Sequence, residues 1–282
     1  MIDKLARLLA HPGFLRAPLT VLGRGAQLAW KLQRGEAPRF ALVPGGPVLQ
    51  VPADRRYTTL SAFLMRDHVE PELAALDRFL PPGGVLVDVG ANIGLFSLKG
   101  AHLVGARGLV LAVEPGAVSF ARLTANLALN TLPQLRLVQA ALSDREGEMA
   151  LYHIPLGDDP QAFSLLPGGG QSASETVRVT TLDLLAEGHG LTRLDCIKID
   201  VEGAEPMVLA GGSATLARLR PIVIFEINAP QAGASRTDAA DALVALGYRL
   251  HRLRGPVLEP LDQVPEAHGN LVAIHPLGPQ PR

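Results

Sequence analysis

Short apolar runs alternate with helical stretches along the chain from residue 85 onward. Seven runs of three to five residues are rich in Val, Ile and Leu and carry few polar positions. Near-continuous runs of this kind predict strands buried on both faces, as in a parallel sheet covered by helices. The predicted strands are Val85–Val89, Leu109–Val113, Leu135–Val138, Cys196–Ile199, Ile222–Phe225, Tyr248–Leu250 and Leu271–Ile274.

Segments with helical spacing of apolar residues lie between these strands. Strands that alternate with helices predict βαβ units with right-handed crossovers, so the expected fold class is α/β. A Pro-rich connection without an obvious helix joins the last two strands, and we expect these strands to form an antiparallel pair at the sheet edge. The predicted helices are Leu95–Leu103, Val118–Leu129, Glu205–Leu219 and Thr237–Leu246.

The region 148–181 interrupts this alternation. It contains two further strand candidates, Met149–Ile154 and Thr176–Thr180, with a turn-rich segment through glycines 168–170 between them. We interpret the region as an inserted hairpin or a loop that covers a site.

A smaller unit precedes residue 69. Arg39–Val43 and Val48–Val51 flank a Pro-Gly-Gly-Pro sequence, which predicts a β-hairpin. A helix is predicted over Glu72–Leu80, where a Pro-Pro-Gly-Gly sequence ends it. We therefore predict an N-terminal extension over residues 1–68 and a main domain over residues 69–282.

The composition excludes several classes of protein. Hydrophobic residues make up 48% of the chain and charged residues 19%, whereas a disordered chain is polar and strongly charged. The 29 Gly and 23 Pro exclude a coiled coil, and the net charge of −1 argues against nucleic-acid binding. A single Cys excludes a disulfide framework. We find neither an apolar run of membrane-spanning length nor a signal-peptide pattern, and we expect a cytoplasmic protein.

The first 40 residues are basic, with seven Lys or Arg against two acidic residues. One interpretation is an amphipathic arm that contacts anionic lipid or a partner protein. The interpretation we favour is a helical extension that packs its leucines on the domain, because helices with one apolar stripe are common. The apolar residues among these charges are Leu5, Leu8, Leu9, Leu19, Leu22, Leu28 and Trp30.

The first predicted strand ends in Asp88, and a glycine-bracketed turn from Gly90 to Gly94 leads into a helix. Glycines allow the backbone to approach a ligand closely, and the free N–H groups of a new helix face that ligand. This arrangement is typical of a nucleotide-type site, although the Gly-x-Asn-x-Gly spacing departs from the dinucleotide fingerprint.

The second predicted strand ends in Glu114, followed by Pro115 at a helix start. An acidic side chain at this place can accept hydrogen bonds from both hydroxyls of a ribose. The alternative for Glu114 is a solvated carboxylate at a strand end. Because the glycine turn precedes it, we expect ribose binding.

The fourth predicted strand ends in Asp200, and Glu202 and Glu205 follow within five residues. Lys198 and Asp200 point to the same side of the strand, and a buried Lys needs an anionic partner, so Asp200 or Asp88 is expected to contact it. Glu205 suits the first turn of the next helix, where a carboxylate interacts favourably with the helix dipole.

Together, these motifs closely resemble the FkbM family of S-adenosylmethionine-dependent methyltransferases over about Val69 to Ile274. The motifs are Asp88-Val-Gly-Ala-Asn-Ile-Gly94, Glu114-Pro115, Ala140-Ala-Leu-Ser-Asp144, Thr181-Leu-Asp183 and Ile197-Lys-Ile-Asp-Val-Glu-Gly-Ala-Glu205.

The resemblance implies a class I methyltransferase fold, a Rossmann-like sheet of seven mostly parallel strands with an antiparallel last strand. It implies that Asp88 and the turn with Gly90, Asn92 and Gly94 hold the methionine end of S-adenosylmethionine. Glu114 would take the ribose, and the stretch with Ala141 and Leu142 would lie by the adenine. The family usually methylates hydroxyl oxygens on sugars or polyketide-like natural products, so the implied acceptor is a small-molecule or glycan hydroxyl.

A hydroxyl is a poor nucleophile until its proton leaves, so a base or a metal ion is needed. Asp200 is the first candidate, and Glu202 follows it in the chain. Glu226 and Asn228 end the neighbouring fifth strand and are expected to converge with Asp200. Oxygen ligands of this kind suit Mg²⁺, by analogy with catechol-type methyltransferases. Otherwise these carboxylates orient the acceptor or take its proton.

Other groups and other functions are weaker candidates. His68, His153 and His251 are further base candidates, and Cys196 is expected to be buried and inert. A nicotinamide-dependent oxidoreductase would share the first strand and Glu114, but it would need the dinucleotide fingerprint and a Tyr–Lys proton relay. A non-catalytic scaffold would not need the acidic residues at three strand ends.

Overall fold

The computed structural model describes residues 11–54, 56–153, 163–166, 173–227, 235, 237–266 and 268–282. The strands that it contains are β1 Arg39–Ala41, β2 Val48–Gln50, β3 Val85–Val89, β4 Leu109–Val113, β5 Leu135–Val138, β6 Ala141–Leu142, β7 Gly147–His153, β8 Phe163–Ser164, β9 Ala173–Thr180, β10 Cys196–Ile199, β11 Ile222–Ile227, β12 Arg249–Arg254, β13 Val257–Pro260 and β14 Gly269–Ile274.

Helices flank these strands, together with 3₁₀ turns at Arg66–His68 and Gly105–Arg107. The helices are α1 Pro12–Arg16, α2 Pro18–Gln33, α3 Tyr57–Met65, α4 Pro71–Ala74, α5 Leu76–Phe79, α6 Leu95–Val104, α7 Ala117–Ala128, α8 Leu182–Gly188, α9 Glu205–Ala210, α10 Ser213–Leu219 and α11 Asp238–Ala245. Of the helices described, none is both long and apolar enough to cross a membrane.

The main sheet has eight strands in the order β13-β12-β14-β11-β10-β3-β4-β5. The five strands from β11 to β5 are parallel, and β14 runs antiparallel to both β11 and β12. All seven predicted strands are present in this sheet, and their order and directions are those of the class I methyltransferase fold. The expected antiparallel pair forms between β12 and β14, and β13 extends the sheet beyond it as an eighth strand that the sequence analysis missed.

Two predicted helices are each divided in the structure. The helix predicted over Glu205–Leu219 is wrong as a single element, because it breaks at Gly211 into α9 and α10. A Cβ on Gly211 would lie 2.0 Å from the Ser143 carbonyl oxygen, so the close approach of this loop requires glycine. The helix predicted over Glu72–Leu80 is likewise two one-turn helices, α4 and α5.

The inserted region forms a second, small sheet in the order β6-β9-β7-β8. The predicted hairpin is confirmed, since β7 and β9 pair antiparallel. Ile154 and the glycine run 168–170 lie outside the described residues, so a covering loop stays a prediction. The sequence analysis missed α8, which Thr181 begins by accepting a hydrogen bond from the Leu184 N–H at 3.1 Å.

The N-terminal extension shares its core with the main domain. The predicted hairpin is confirmed as β1–β2, and Leu49 and Phe63 are fully buried in the same apolar cluster as Leu86 and Phe96. One continuous core thus crosses the predicted domain boundary between residues 68 and 69. That boundary stays a prediction.

Two asparagine side chains, Asn126 on α7 and Asn130 just after it, cover the outer edge of β2. The Asn130 amide accepts from the Val48 N–H at 2.7 Å and donates to the Val48 carbonyl at 2.8 Å. Asn126 accepts from the Gln50 N–H at 2.8 Å. Two amides thus satisfy backbone groups of the hairpin that a third strand would otherwise pair.

The exposure of side chains on the arm helix α2 differs in part from what we expect from the sequence. Leu28 is buried against the domain as expected, but Leu19 is 84% exposed and Leu22 and Trp30 are more than half exposed. The expectation that these leucines pack on the domain is therefore wrong for Leu19 and Leu22. Leu5, Leu8 and Leu9 lie outside the described residues.

Candidate functional site

A cavity of about 960 Å³ opens at the carboxyl ends of the parallel strands. This volume is at the upper end of the roughly 300–1,000 Å³ of small-molecule sites, so it provides room for a nucleoside and a second ligand. Ligands of open α/β sheets bind at this edge. The extension and β12–β14 also line the cavity, through residues that include His11, Asp54, Arg56, Thr59, Arg252, His268 and Asn270.

The turn after β3 brings the backbones of two neighbouring strand ends together. Gly90 has a φ of +78°, and a Cβ there would lie 1.9 Å from the Asp200 carbonyl oxygen. The N–H groups of Gly90 and Ala91 both donate to the Val113 carbonyl, at 2.9 and 3.0 Å. Gly94, with a φ of +96°, begins α6. A Cβ on Gly94 would lie 2.7 Å from Leu123 Cδ1, so both glycines permit close packing of the turn. Gly90 lines the cavity and Gly94 is not among its lining residues, and their contact with a cofactor stays a prediction.

Glu114 is held in place by backbone donors on both sides. Its Oε2 accepts from the Asn92 N–H and its Oε1 from the Gly116 N–H, each at 2.9 Å. A carboxylate has about four lone-pair sites, so both oxygens keep acceptor capacity toward the cavity. Burial raises the pKa of Glu114 to about 7, against the effect of these two hydrogen bonds. Its contact with the two ribose hydroxyls stays a prediction.

Asn92 carries an unsatisfied acceptor at the same place. Its φ is +48°, and its Oδ1 is buried without a hydrogen-bond partner among the described residues. A buried acceptor without a partner costs about 1–3 kcal/mol, which a ligand with N–H or O–H donors would recover. The amino end and hydroxyls of S-adenosylmethionine are donors of this kind, so the residues present fit that cofactor.

The remaining predicted cofactor residues also face the cavity. Asp88 is buried and accepts from the Ser97 hydroxyl at 2.5 Å, and burial raises its pKa although Lys198 acts against this. Ala141 and Leu142 form β6 and line the cavity beyond Glu114. Their place beside the adenine stays a prediction.

A buried cation lies under the acidic residues. Lys198 Nζ contacts Asp200 Oδ2 at 2.7 Å, which confirms the expected pair, and it lies 4.7 Å from the centre of the Phe96 ring. Burial alone would lower the pKa of Lys198, but Asp200 and Glu70 raise it above its ordinary value. Lys198 is therefore a fixed positive charge beneath the cavity.

The three predicted catalytic carboxylates converge. One oxygen each of Asp200, Glu202 and Glu226 lies within 4.8 Å of the others, although Glu202 follows a different strand from Glu226. Asp200 and Glu226 share a hydrogen bond. Asn228, which was expected to join them, lies outside the described residues.

The acidic residues divide into charged and protonated members. Burial opposes ionisation of Asp200, but Lys198 outweighs it and lowers the pKa of Asp200. Burial and the Asp200 carboxylate raise the pKa of Glu226, and burial with Glu226 raises that of Glu202 to about 8. Lys198 therefore favours the ionised form of Asp200, whereas burial and Asp200 favour the protonated form of Glu226.

Comparison with known proteins identifies the family of this site. The model of the Methyltransferase FkbM domain matches residues 88–250, which contain the glycine turn, Glu114 and the acidic cluster. The chain belongs to the FkbM methyltransferase family. The predicted resemblance is thereby confirmed.

This FkbM chain is similar to several named proteins over part of their length. It is 33% identical over 235 residues to the AMB antimetabolite synthetase AmbE of Pseudomonas aeruginosa, covering 70% of this chain and 11% of AmbE. It is 34% identical to the 31-O-demethyl-FK506 methyltransferase FkbM of Streptomyces tacrolimicus, over 51% of this chain and 65% of that protein. It is 32% identical to the hexuronic acid methyltransferase AglP of Haloferax volcanii, over 51% and 56% of the two chains.

One residue of this FkbM site, His268, was not predicted from the sequence. Its Nε2 lies 3.2 Å from Glu226 Oε1, and its Nδ1 lies 3.0 Å from the Ile227 carbonyl oxygen. The hydrogen bond to Glu226 raises the pKa of His268 to about 9, so this imidazole is a cation at neutral pH. The predicted base candidates do not take this place, since His68 and His251 are not among the residues that line the cavity and the His153 side chain is not described.

A second missed group is an acidic pair on the loop and helix before β3. The Asn270 side-chain N–H donates to Glu70 at 2.9 Å and to Glu72 at 3.3 Å. Burial raises the pKa of Glu70 to about 7 and that of Glu72 as well. Both residues precede the family match, and both line the cavity.

Glu205 has the local role that was expected. Its Oε1 accepts from the N–H groups of Val201 and Gly203, at 3.1 and 3.3 Å, at the start of α9. It is absent from the residues that line the cavity. Cys196 is fully buried, as predicted.

Proposed function

We propose that this chain is an S-adenosylmethionine-dependent methyltransferase whose acceptor is a hydroxyl oxygen on a sugar or a natural product. The observation that carries this proposal is a single cavity that joins a nucleoside-type site to three clustered carboxylates. Two relatives support the acceptor class, because their names specify an O-demethyl natural product and a hexuronic acid. The chain spans 65% and 56% of these proteins, so the acceptor is assigned by chemical class.

The cofactor site uses the residues of the first two strand ends. Glu114 would accept from the ribose hydroxyls, and Asn92 Oδ1 and Asp88 would face the methionine end. When bound, S-adenosylmethionine supplies a methyl carbon that its sulfonium makes electrophilic. The excess of buried carboxylates over cations around the cavity favours a ligand that carries positive charge. A nicotinamide cofactor is not favoured, since the family is that of methyltransferases.

The Asp200–Glu226 pair is the proposed base. A hydroxyl proton transferred to this pair leaves the acceptor oxygen with the electron pair needed for attack. Lys198 and His268 flank the two carboxylates as fixed cations, and they hold the pair in place as its charge changes. Glu202, with a pKa of about 8, would orient the acceptor by a hydrogen bond.

The carboxylate cluster does not fit a divalent cation well. Mg²⁺ requires ionised oxygen ligands in near-octahedral geometry. Here Lys198 neutralises Asp200 at 2.7 Å, His268 pairs with Glu226 at 3.2 Å, and Glu202 retains its proton up to about pH 8. The proposed reaction therefore needs no metal ion, and chelator treatment is expected to leave turnover unchanged.

The test is methyl transfer from isotope-labelled S-adenosylmethionine to a panel of uronic acids, neutral sugars and hydroxylated polyketides. We expect an O-methyl product, identified by mass spectrometry and NMR. Asp200→Asn should reduce turnover by about 10²–10⁴-fold, the usual contribution of a general base, with S-adenosylhomocysteine affinity retained.

Asp195→Asn is the matched control for that variant. Asp195 is also buried and ion-paired, with Arg193 at 2.7 Å, but it lies at the opposite end of β10 from the cavity. Turnover that falls equally in both variants would remove Asp200 from the base role. A product methylated at nitrogen or carbon would contradict the hydroxyl acceptor.

A further inference from the structure

The arm helix α2 is apolar on two opposite sides. Val21 and Leu28 are buried against the domain. Leu19, Leu22, Ala26 and Trp30 follow one another at spacings of three, four and four residues, which places them on one side of a helix. All four are exposed, so the second side contacts solvent.

Leu15 on the preceding helix α1 adds to this surface, with 67% of its side chain exposed. We call Leu15, Leu19, Leu22, Ala26 and Trp30 the arm face. Single exposed apolar residues are ordinary on a protein surface, but a contiguous set of large ones marks an interaction site.

Positive charge accompanies the arm face. Residues 11–36 contain four Lys or Arg and one acidic residue, Glu36, which lies 2.7 Å from Arg34 and 3.8 Å from Lys31, so the arm keeps a net positive charge. Arg16 and Arg34 are exposed, and the Arg34 guanidinium lies 4.8 Å from the centre of the Trp30 ring. Leu and Trp on one side with cations at its margins are the features of a helix that lies in the plane of a membrane surface.

The arm also borders the functional cavity. His11 lines the cavity, and its Nδ1 accepts from the Gly13 N–H at 3.0 Å to begin α1. The family match starts at residue 88, so this surface is not part of the family's common domain.

We propose that the arm face docks this protein on an anionic membrane surface. Leu15, Leu19, Leu22 and Trp30 enter the interface between headgroups and acyl chains, and the arm cations pair with lipid phosphates. A second copy of the chain is a poorer occupant, because a two-fold contact would place the net positive charge of one arm against that of the other. Docking brings the cavity beside the membrane.

Trp30 provides a direct probe, because it is the only Trp of the chain. The full chain is mixed with phosphatidylcholine vesicles, with or without roughly one quarter phosphatidylglycerol. We expect co-sedimentation with the anionic vesicles, a blue shift of Trp30 emission and its quenching by brominated lipid. Binding should weaken at about 0.5 M NaCl, since salt screens the charge contribution.

The variant Leu19→Glu/Leu22→Glu should weaken vesicle binding by at least about tenfold, because it places two charges in the interface. Leu277→Glu/Val257→Glu is the matched control, since both residues are exposed but lie far along the chain from the arm. S-adenosylhomocysteine binding by all variants checks the fold.

Three results would overturn the proposal. They are failure to bind anionic vesicles, equal loss of binding in the control variant, and a lipid-free blue shift of Trp30 with dimerisation that Leu19→Glu/Leu22→Glu abolishes. The last result would assign the arm face to a second copy of the chain.

Discussion

Glu114 is the residue to which we assign the ribose hydroxyls, and the backbone already fixes its side chain. Two backbone N–H groups fix its carboxylate before the ligand arrives, so the ordering cost of binding is reduced. Glu114→Ala should weaken S-adenosylhomocysteine binding roughly tenfold to a hundredfold, because a hydrogen bond to a charged group is worth about 1.5–3 kcal/mol. Isothermal titration at pH 8, above the pKa of about 7, measures this change.

The protonation of Glu114 gives the same prediction a second readout. Wild-type affinity should fall as pH is lowered from 8 to 6, since the carboxylate gains its proton near pH 7. Glu114→Gln keeps an acceptor oxygen without the titration, so its affinity should change less over this range. Unaltered binding by Glu114→Ala would exclude contact with the ribose.

The site residues that were predicted share one property, which is their position at the end of a parallel strand. Asp88, Glu114 and Asp200 follow buried runs, and parallel strands bring their carboxyl ends to one edge. His268 escaped prediction because it follows no such run. It precedes β14, and the antiparallel pairing of β14 with β11 brings it to Glu226 across 42 residues of sequence.

At the level of elements, Gly90 fixes the spacing between β3 and β10. Its Cβ position is occupied by the Asp200 carbonyl oxygen at 1.9 Å, so a side chain there would push apart two adjacent strands. Gly90→Ala should lower the free energy of unfolding by more than about 3 kcal/mol, from positive-φ strain and overpacking together. Urea unfolding measures the loss.

Gly105→Ala separates these two contributions. Gly105 also has a positive φ, +65°, but no atom lies within 4 Å of its Cβ position. Its ψ is −172°, in a region that glycine alone adopts readily, so this control should lose only the backbone contribution, of about 1–3 kcal/mol. Similar losses in the two variants would show that the contact with Asp200 does not determine the spacing.

Elements with a strong apolar pattern were predictable, and those decided by one contact were not. The parallel strands followed from their Val, Ile and Leu runs. The division between α9 and α10 depends on the approach of Gly211 to Ser143, a contact that no local pattern records. The edge strand β13, which pairs with β12, is short and half-exposed. It therefore has no apolar run from which it could be predicted.

Several acidic residues of the molecule are buried, and they determine how the free energy of unfolding depends on pH. Burial raises the pKa of Glu114 and Glu205 to about 7 and that of Glu202 to about 8. A group whose folded pKa is raised stabilises the fold at low pH, and this stability is lost as pH rises through the folded pKa. His268, raised to about 9, acts in the same direction.

Glu114 and Glu205 complete this loss by about pH 7, whereas Glu202 continues it to about pH 8 and His268 to about pH 9. The free energy of unfolding of the ligand-free protein should therefore decrease between about pH 7 and pH 9, through Glu202 and His268. His11 and His68, whose pKa burial lowers, are neutral in this window and do not oppose the trend. Urea unfolding at several pH values measures the slope. Glu202→Gln should reduce it and Glu187→Gln, an exposed site on α8, should not. A stability that rises over this window would contradict the buried-acid account.

The amides that Asn126 and Asn130 direct at β2 also protect the protein from its own copies. An uncovered strand offers a row of backbone donors and acceptors to any extended segment that meets it. By occupying Val48 and Gln50, the two side chains remove that template without adding a strand. Replacing both with leucines of similar size would leave these backbone groups unpaired, and we expect it to lower stability and to expose an edge that a second copy of the chain could pair with.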